Sequence, residues 1–157
     1  MVIEAMKNII KSIIILFFIF YSLFFVAGST LSPVFAYLKL YDYSAFLTGL
    51  YMSACHQQPD RSFWILGYPL ALCCRCYGFY IGVVLSAFLS LWKNFHLNVR
   101  SFYIMFVVAA IDIVLNFMLK INTGNSIRFL VGIIMGFLFI AVVNYLFEYK
   151  KEWKNAS

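Results

Sequence analysis

Residues Ile9 to Gly28 read IIKSIIILFFIFYSLFFVAG, a run whose one charged residue is Lys11. A hydrocarbon core about 30 Å thick needs about 20 apolar residues of helix. This stretch alone therefore places the chain in a bilayer and sets its class as an all-α integral membrane protein. Working outward, Leu72 to Trp92, Phe102 to Leu119 and Phe129 to Phe147 supply three further runs. The breaks between them are short and polar, Lys93-Asn94-Phe95-His96 to Arg100 and Lys120 to Asn125. Helices over about 9–28, 72–92, 102–119 and 129–147, joined by tight turns, predict a compact four-helix transmembrane bundle. No internal repeat is visible, so residues 1–157 read as a single transmembrane domain. A secretory h-region is about 7–15 residues. The first run is longer, which favours a retained helix over a signal cut near Ala27-Gly28-Ser29.

Composition agrees. Of 157 residues, 64% are apolar, 20% aromatic and 11% charged, with a mean hydropathy of +0.91. A soluble domain is about 45–50% apolar and about a quarter charged. So much apolar surface cannot be hidden inside one small globule, which excludes a water-soluble enzyme, a disordered chain and a collagen. The net charge of +6 is spread over short loops, where it marks topology and lipid headgroup contact rather than a nucleic-acid footprint. The expected partner is the lipid bilayer, with no nucleic acid. An inside N-terminus puts seven basic residues in the cytoplasm (Lys7, Lys11, Lys93, Arg100, Lys150, Lys151, Lys154) against five outside (Lys39, Arg61, Arg75, Lys120, Arg128). The expectation is a multi-pass protein of the cell membrane with both termini cytoplasmic.

Residues 30–71, between the first two runs, are too long for a turn and are broken by Pro33, Pro59, Gly67 and Pro69. They read as a structured outer segment. Phe46 to Ala54 forms a short helix at the interface with Tyr41, Tyr43, Tyr51 and Trp64, where aromatic residues gather.

All four cysteines fall within 22 residues, at Cys55, Cys73, Cys74 and Cys76, with His56 beside the first. Cys73-x-x-Cys76 has the spacing that turns two thiolates onto one metal or closes a redox disulfide. Cys55 and His56 would complete a Cys₃His set, leaving Cys74 over. Buried cysteine is also a common small hydrophobe, but clustering here, with no cysteine elsewhere, favours a site. Adjacent side chains do not naturally face one ion, so His56 reads either as a ligand or as a neighbouring acid/base.

Cys55-His56-Gln57-Gln58-Pro59-Asp60-Arg61-Ser62-Phe63 and Cys73-Cys74-Arg75-Cys76-Tyr77-Gly78-Phe79-Tyr80-Ile81-Gly82 resemble the signature CHQxPxRSF…CxRCxGxYxG. That signature belongs to a family of small prokaryotic membrane proteins grouped among the domains of unknown function (family two-zero-eight-five). A later feature, an Asp followed by N-x-x-R-x-x-x-G-x-x-x-G, is similar to Asp112, Asn125, Arg128, Gly132 and Gly136. The sequence departs from the pattern at Ile113, where the family commonly has Gly, and at Cys74, where it has a small residue. The resemblance implies a membrane fold and a shared residue set that includes Gln57, Arg61, Arg75, Asp112, Asn125 and Arg128. It brings no established activity.

Spacing adds geometry. An ionisable residue within a span is costly and usually faces the bundle interior, so Asp112 is expected to pair with Arg128 or Arg75. Asn116, one turn on, shares its face. Gly78, Gly82, Ser86 and Ser90 form a small-residue stripe on the second helix, and Gly132 and Gly136 another on the fourth. Such stripes let backbones approach closely in lipid, which would bring Arg75 and Arg128 together. Arg61 also fits a snorkelling interfacial residue, and His96 a solvated turn.

Three functions compete for these residues. The first is a metal module on the extracytoplasmic side, with Cys55, His56, Cys73 and Cys76 holding zinc, or Cu(I) or an iron–sulfur centre in second rank. The second is a membrane thiol–disulfide oxidoreductase using Cys73 and Cys76. The third is binding of an anionic lipid or phosphate by Arg61, Arg75 and Arg128, since guanidinium forks match phosphate oxygens.

Overall fold

The computed structural model describes residues 2–92, 99–117 and 123–155. The described residues form five α-helices: α1 (Val2–Tyr37), α2 (Tyr41–Tyr51), α3 (Cys74–Trp92), α4 (Val99–Phe117) and α5 (Asn125–Asn155). A 3-10 turn at Pro59–Arg61 and an antiparallel hairpin of β1 (Trp64–Ile65) and β2 (Tyr68–Pro69) lie between α2 and α3. Among the described residues, three stretches are long and apolar enough to cross a membrane: Asn8–Tyr37, Cys74–Trp92 and Asn125–Phe147. Phe106–Leu115 within α4 is a shorter apolar stretch. His96, Lys93 and Lys120 lie outside the described residues, as does the side chain of Asn116.

The bundle's outer faces carry large apolar side chains, among them Phe17, Phe20, Phe88, Phe106, Ile111 and Leu130. A water-soluble chain rarely leaves that much exposed, whereas in a bilayer those faces meet acyl chains.

Helix α1 departs most from expectation, passing Gly28 and ending only at Tyr37 with Pro33 inside it. The polar residues that suggested a break are satisfied locally. Thr30 donates back to the Val26 carbonyl (2.8 Å), and Ser32 bonds the hydroxyls of Ser44 (3.1 Å) and Thr48 (3.0 Å) on α2. Pro33 has no N–H for the carbonyl four residues earlier. That carbonyl, on Ser29, accepts from the backbone N–H of Ala71 at 3.5 Å. The helix ends where Lys39 takes φ 61°. Leu40 N–H then reaches the Phe35 carbonyl (2.9 Å) and Lys39 N–H that of Ala36 (3.0 Å). These are the two bonds of a Schellman cap, here built on lysine instead of glycine.

The expected interfacial helix over 46–54 forms earlier, as α2 over Tyr41–Tyr51. The hairpin was not expected in an all-α chain. Its turn residues Leu66 and Gly67 both have positive φ, 54° and 83°, as a two-residue type I′ connection requires.

The two glycine stripes meet. A Cβ on Gly78 would lie 2.2 Å from the Phe129 carbonyl oxygen, and one on Gly82 the same distance from that of Ile133. Reciprocally, Cβ atoms on Gly132 and Gly136 would lie 2.2 Å from the Arg75 and Phe79 carbonyl oxygens. The register rises together along both helices, so α3 and α5 run parallel and backbone to backbone. Helix α1 packs antiparallel on α3: Phe25 stacks on Tyr80 (4.4 Å) and the Thr30 and Tyr77 hydroxyls meet at 3.1 Å. Ile15, Val83, Ala87 and Ile140 form a second core further along.

Candidate metal and anion site

Tyr51, the last residue of α2, is fully buried. Its ring lies 4.8 Å from that of Phe25, and its hydroxyl donates to the Phe24 carbonyl at 3.1 Å. Only glycine leaves room for it: a Cβ on Gly28 would fall 1.9 Å from the phenol oxygen. The Tyr51 carbonyl then accepts from the N–H groups of Ala54 and Cys55, both at 3.0 Å. Cys55 thus hangs from an anchor sunk into α1.

Two residues on, Gln57 adopts φ 48°, uncommon for a residue with a long side chain. The bend turns its N–H onto Cys55 Sγ (3.4 Å), while its side-chain amide donates to the Thr48 carbonyl at 2.6 Å. The Cys73 N–H also reaches Cys55 Sγ, at 3.3 Å. Two backbone donors fix the direction of that sulfur. Cys73 immediately precedes α3 and Cys76 lies in its first turn.

These elements bring the sulfurs of Cys55, Cys73 and Cys76 within 4.8 Å of one another. Hydrogen bonds from Cys55, and next from Cys76, hold Cys73 well below the usual thiol range. Cys55, as the donor to Cys73, is pushed up. Among the described residues no cysteine is in a disulfide, and buried Cys74 stands outside the three-sulfur group. His56 is exposed and is not among the donor atoms in mutual reach, although it lines the adjoining cavity.

That cavity has a volume of about 340 Å³. The three cysteines line it together with Arg61, Arg75 and Arg128, and Gln57 and Gln58 line it too. The arginines come from the 3-10 turn, α3 and α5. Arg75 Nη2 bonds Asp112 Oδ2 of α4 at 2.5 Å, one of the two pairings expected for that carboxylate. Thr123 Oγ1 donates to the other Asp112 oxygen at 3.1 Å. Arg128, 6% exposed, donates from Nη1 to Asn125 Oδ1 (3.3 Å), and Asn125 Nδ2 donates to the Ser62 carbonyl (3.3 Å). Arg75 Nε is buried without an acceptor among the described residues, the state of a donor that an ordered water or ligand completes.

The thiols and the carboxylate–guanidinium group therefore meet at one end of the bundle. Thr48 and Ser62 were not singled out from the sequence, and Tyr51, expected at the membrane interface, is buried instead. Their parts are played by a buried ring and two backbone carbonyls, which carry no spacing signal. Thr123 lies two residues before Asn125 and was accessible to the same reasoning.

A family model described as "Predicted membrane protein (DUF2085)" matches residues 55–142, from the first cysteine through the glycine stripe of α5. An uncharacterized protein of Methanocaldococcus jannaschii is 30% identical, with 93% of this chain and 99% of that protein aligned. No solved structure matches.

Proposed function

Given that the chain belongs to the DUF2085 family of predicted membrane proteins, we propose that it is a metal-binding protein of the cell membrane. Cys55, Cys73 and Cys76 hold a zinc ion as thiolates, and the fourth position faces the cavity, where His56, water or a ligand completes the set. The observation that carries this reading is the mutual reach of three sulfurs from two separate segments, all within 4.8 Å. Around a tetrahedral zinc with Zn–S of about 2.3 Å, sulfurs sit about 3.8 Å apart. Rotamer adjustment of about an ångström closes the difference. Three thiolates suit zinc first, and Cu(I) or an iron–sulfur centre after it.

A thiol–disulfide oxidoreductase fits less well. It would leave one of three clustered sulfurs without a partner, and Cys74 stands outside the group. The third reading, an anion on the arginines, is compatible with the metal.

The proposed topology has four crossings. Parallel α3 and α5 require the chain to return across the bilayer between them, and the 19 residues of α4 span about 28 Å, close to the hydrocarbon thickness. Asp112 near the end of α4 then rejoins the start of α3. With basic residues weighted inward, the termini are cytoplasmic and the site faces outward.

Metal analysis of protein purified in detergent tests this reading. Near-stoichiometric zinc, lost in Cys73→Ser and kept in Cys74→Ser, is expected. Metal-free protein whose thiols oxidise reversibly as a pair would overturn it in favour of the redox reading.

A further inference from the structure

The cysteines and the arginines share one cavity, and the charges there are unequal. Among the described residues no carboxylate lines it, while three guanidinium-bearing side chains do. With a divalent ion on three thiolates, the cysteine group carries one net negative charge, which offsets one guanidinium. Asp112, paired to Arg75, offsets another. Among the described lining residues the guanidinium groups thus outnumber the negative charges, the balance that an anionic ligand meets.

The arginines are also more than helix packing requires. Gly78, Gly82, Gly132 and Gly136 already bring α3 and α5 into backbone contact, and an Arg75–Asp112 pair alone would be electrically closed. Arg61 enters from a different element, the 3-10 turn, and is exposed. Its turn is held over the bundle by the Asn125 bond to the Ser62 carbonyl. Three guanidinium groups converging from three elements provide forked donors from different directions, which a tetrahedral oxyanion accepts and a planar carboxylate uses less fully. A volume of about 340 Å³ lies at the small end of ligand pockets. It holds a phosphate with a modest organic substituent.

Resting on the metal reading above, we propose that this cavity binds a phosphate group, one oxygen taking the metal's open position and the others held by Arg61 and Arg128. The phosphate is that of a free ion or small ester, or of a lipid headgroup entering from the membrane side. The chemistry of recognition is the same for both.

The test uses full-length protein in nanodiscs of neutral lipid, with zinc content measured on every sample. Radiolabelled inorganic phosphate and, separately, phosphatidic acid included in the disc lipid are the probes. Saturable binding of either, weakened at least about tenfold in Arg61→Ala with zinc content unchanged, is expected. Arg61→Ala is chosen because that side chain is exposed; Arg128→Lys, which keeps the charge and loses the fork, gives a second reading in α5. Inorganic phosphate binding assigns the free-ion source, and retention of phosphatidic acid alone assigns the headgroup. Zinc-loaded protein that binds neither overturns this inference and leaves the metal reading standing. Phosphate bound equally well after zinc is stripped overturns the shared metal–phosphate site. Protein that never holds zinc overturns the metal reading itself and this inference with it.

Discussion

Helices α3 and α5 are in contact along most of their shared length, yet their two ends bury different chemistry. At the cavity end sit three thiols, Arg75 and Arg128, with Asp112 brought in by α4. At the far end Asn144 donates to Ser90 Oγ (2.7 Å), Ser90 to the Ser86 carbonyl (2.9 Å) and Ser86 to the Phe137 carbonyl (3.4 Å). The far end shows that joining these helices takes nothing stronger than hydroxyls and an amide. Ionised groups at the cavity end cost far more to hold in a membrane than helix packing demands. Their presence there is the argument for a bound ion and ligand.

The largest effect that would sharpen this contrast is metal loss. Cys55→Ser or Cys76→Ser should abolish stoichiometric zinc in elemental analysis, while Cys74→Ser leaves it in place. If Cys74 proved as essential as the others, the three-sulfur site would be wrong.

Next is charge. Asp112→Ala leaves the half-buried Arg75 without its carboxylate and should destabilise by about 1–3 kcal/mol. Replacing both, as Arg75→Met with Asp112→Leu, should recover most of the stability and leave phosphate binding by Arg61 and Arg128 in place. Asn144→Leu at the far end should cost only about 1 kcal/mol. Unfolding in mixed micelles, followed by circular dichroism, measures all three. Equal losses at both ends would break the comparison.

Backbone contact follows. Gly78→Ala and Gly136→Ala each force a methyl to 2.2 Å from a carbonyl oxygen and should cost about 1–3 kcal/mol. Gly49→Ala, with nothing within 4 Å of the new methyl, should be neutral or slightly stabilising in the same assay. The smallest effect belongs to Lys39→Gly. It relieves a positive φ at the α1 cap and should raise stability by up to about 1 kcal/mol.

Periodicity and length made most of the helical frame legible. The runs at 72–92, 102–119 and 129–147 correspond to α3, α4 and α5, because an unbroken apolar run in a membrane has few alternatives to helix. The α3–α5 contact was legible from glycine spacing alone. The end of α1 was not. Thr30, Ser32 and Pro33 look like breakers in isolation, and only their bonds to Val26, Ser44, Thr48 and Ala71 reveal a continuous helix. The hairpin was equally hidden, since strands of two residues carry no period. Cysteine clustering pointed to the site, but the standing of His56 could not be read from adjacency. The structure leaves it exposed and outside the sulfur group.

Pro33 leaves the Ser29 carbonyl open, and Ala71, two residues before Cys73, is joined to it. Helix α1, at 36 residues, is about 54 Å long and exceeds any bilayer's hydrocarbon width, so its lean depends on the thickness of the surrounding lipid. This peptide link, together with the Tyr51 hydroxyl bond to the Phe24 carbonyl, couples the slope of α1 to the segments that carry the sulfurs. Membrane thickness thereby becomes a mechanical input to the placing of the cysteines, delivered in part through a proline's missing hydrogen.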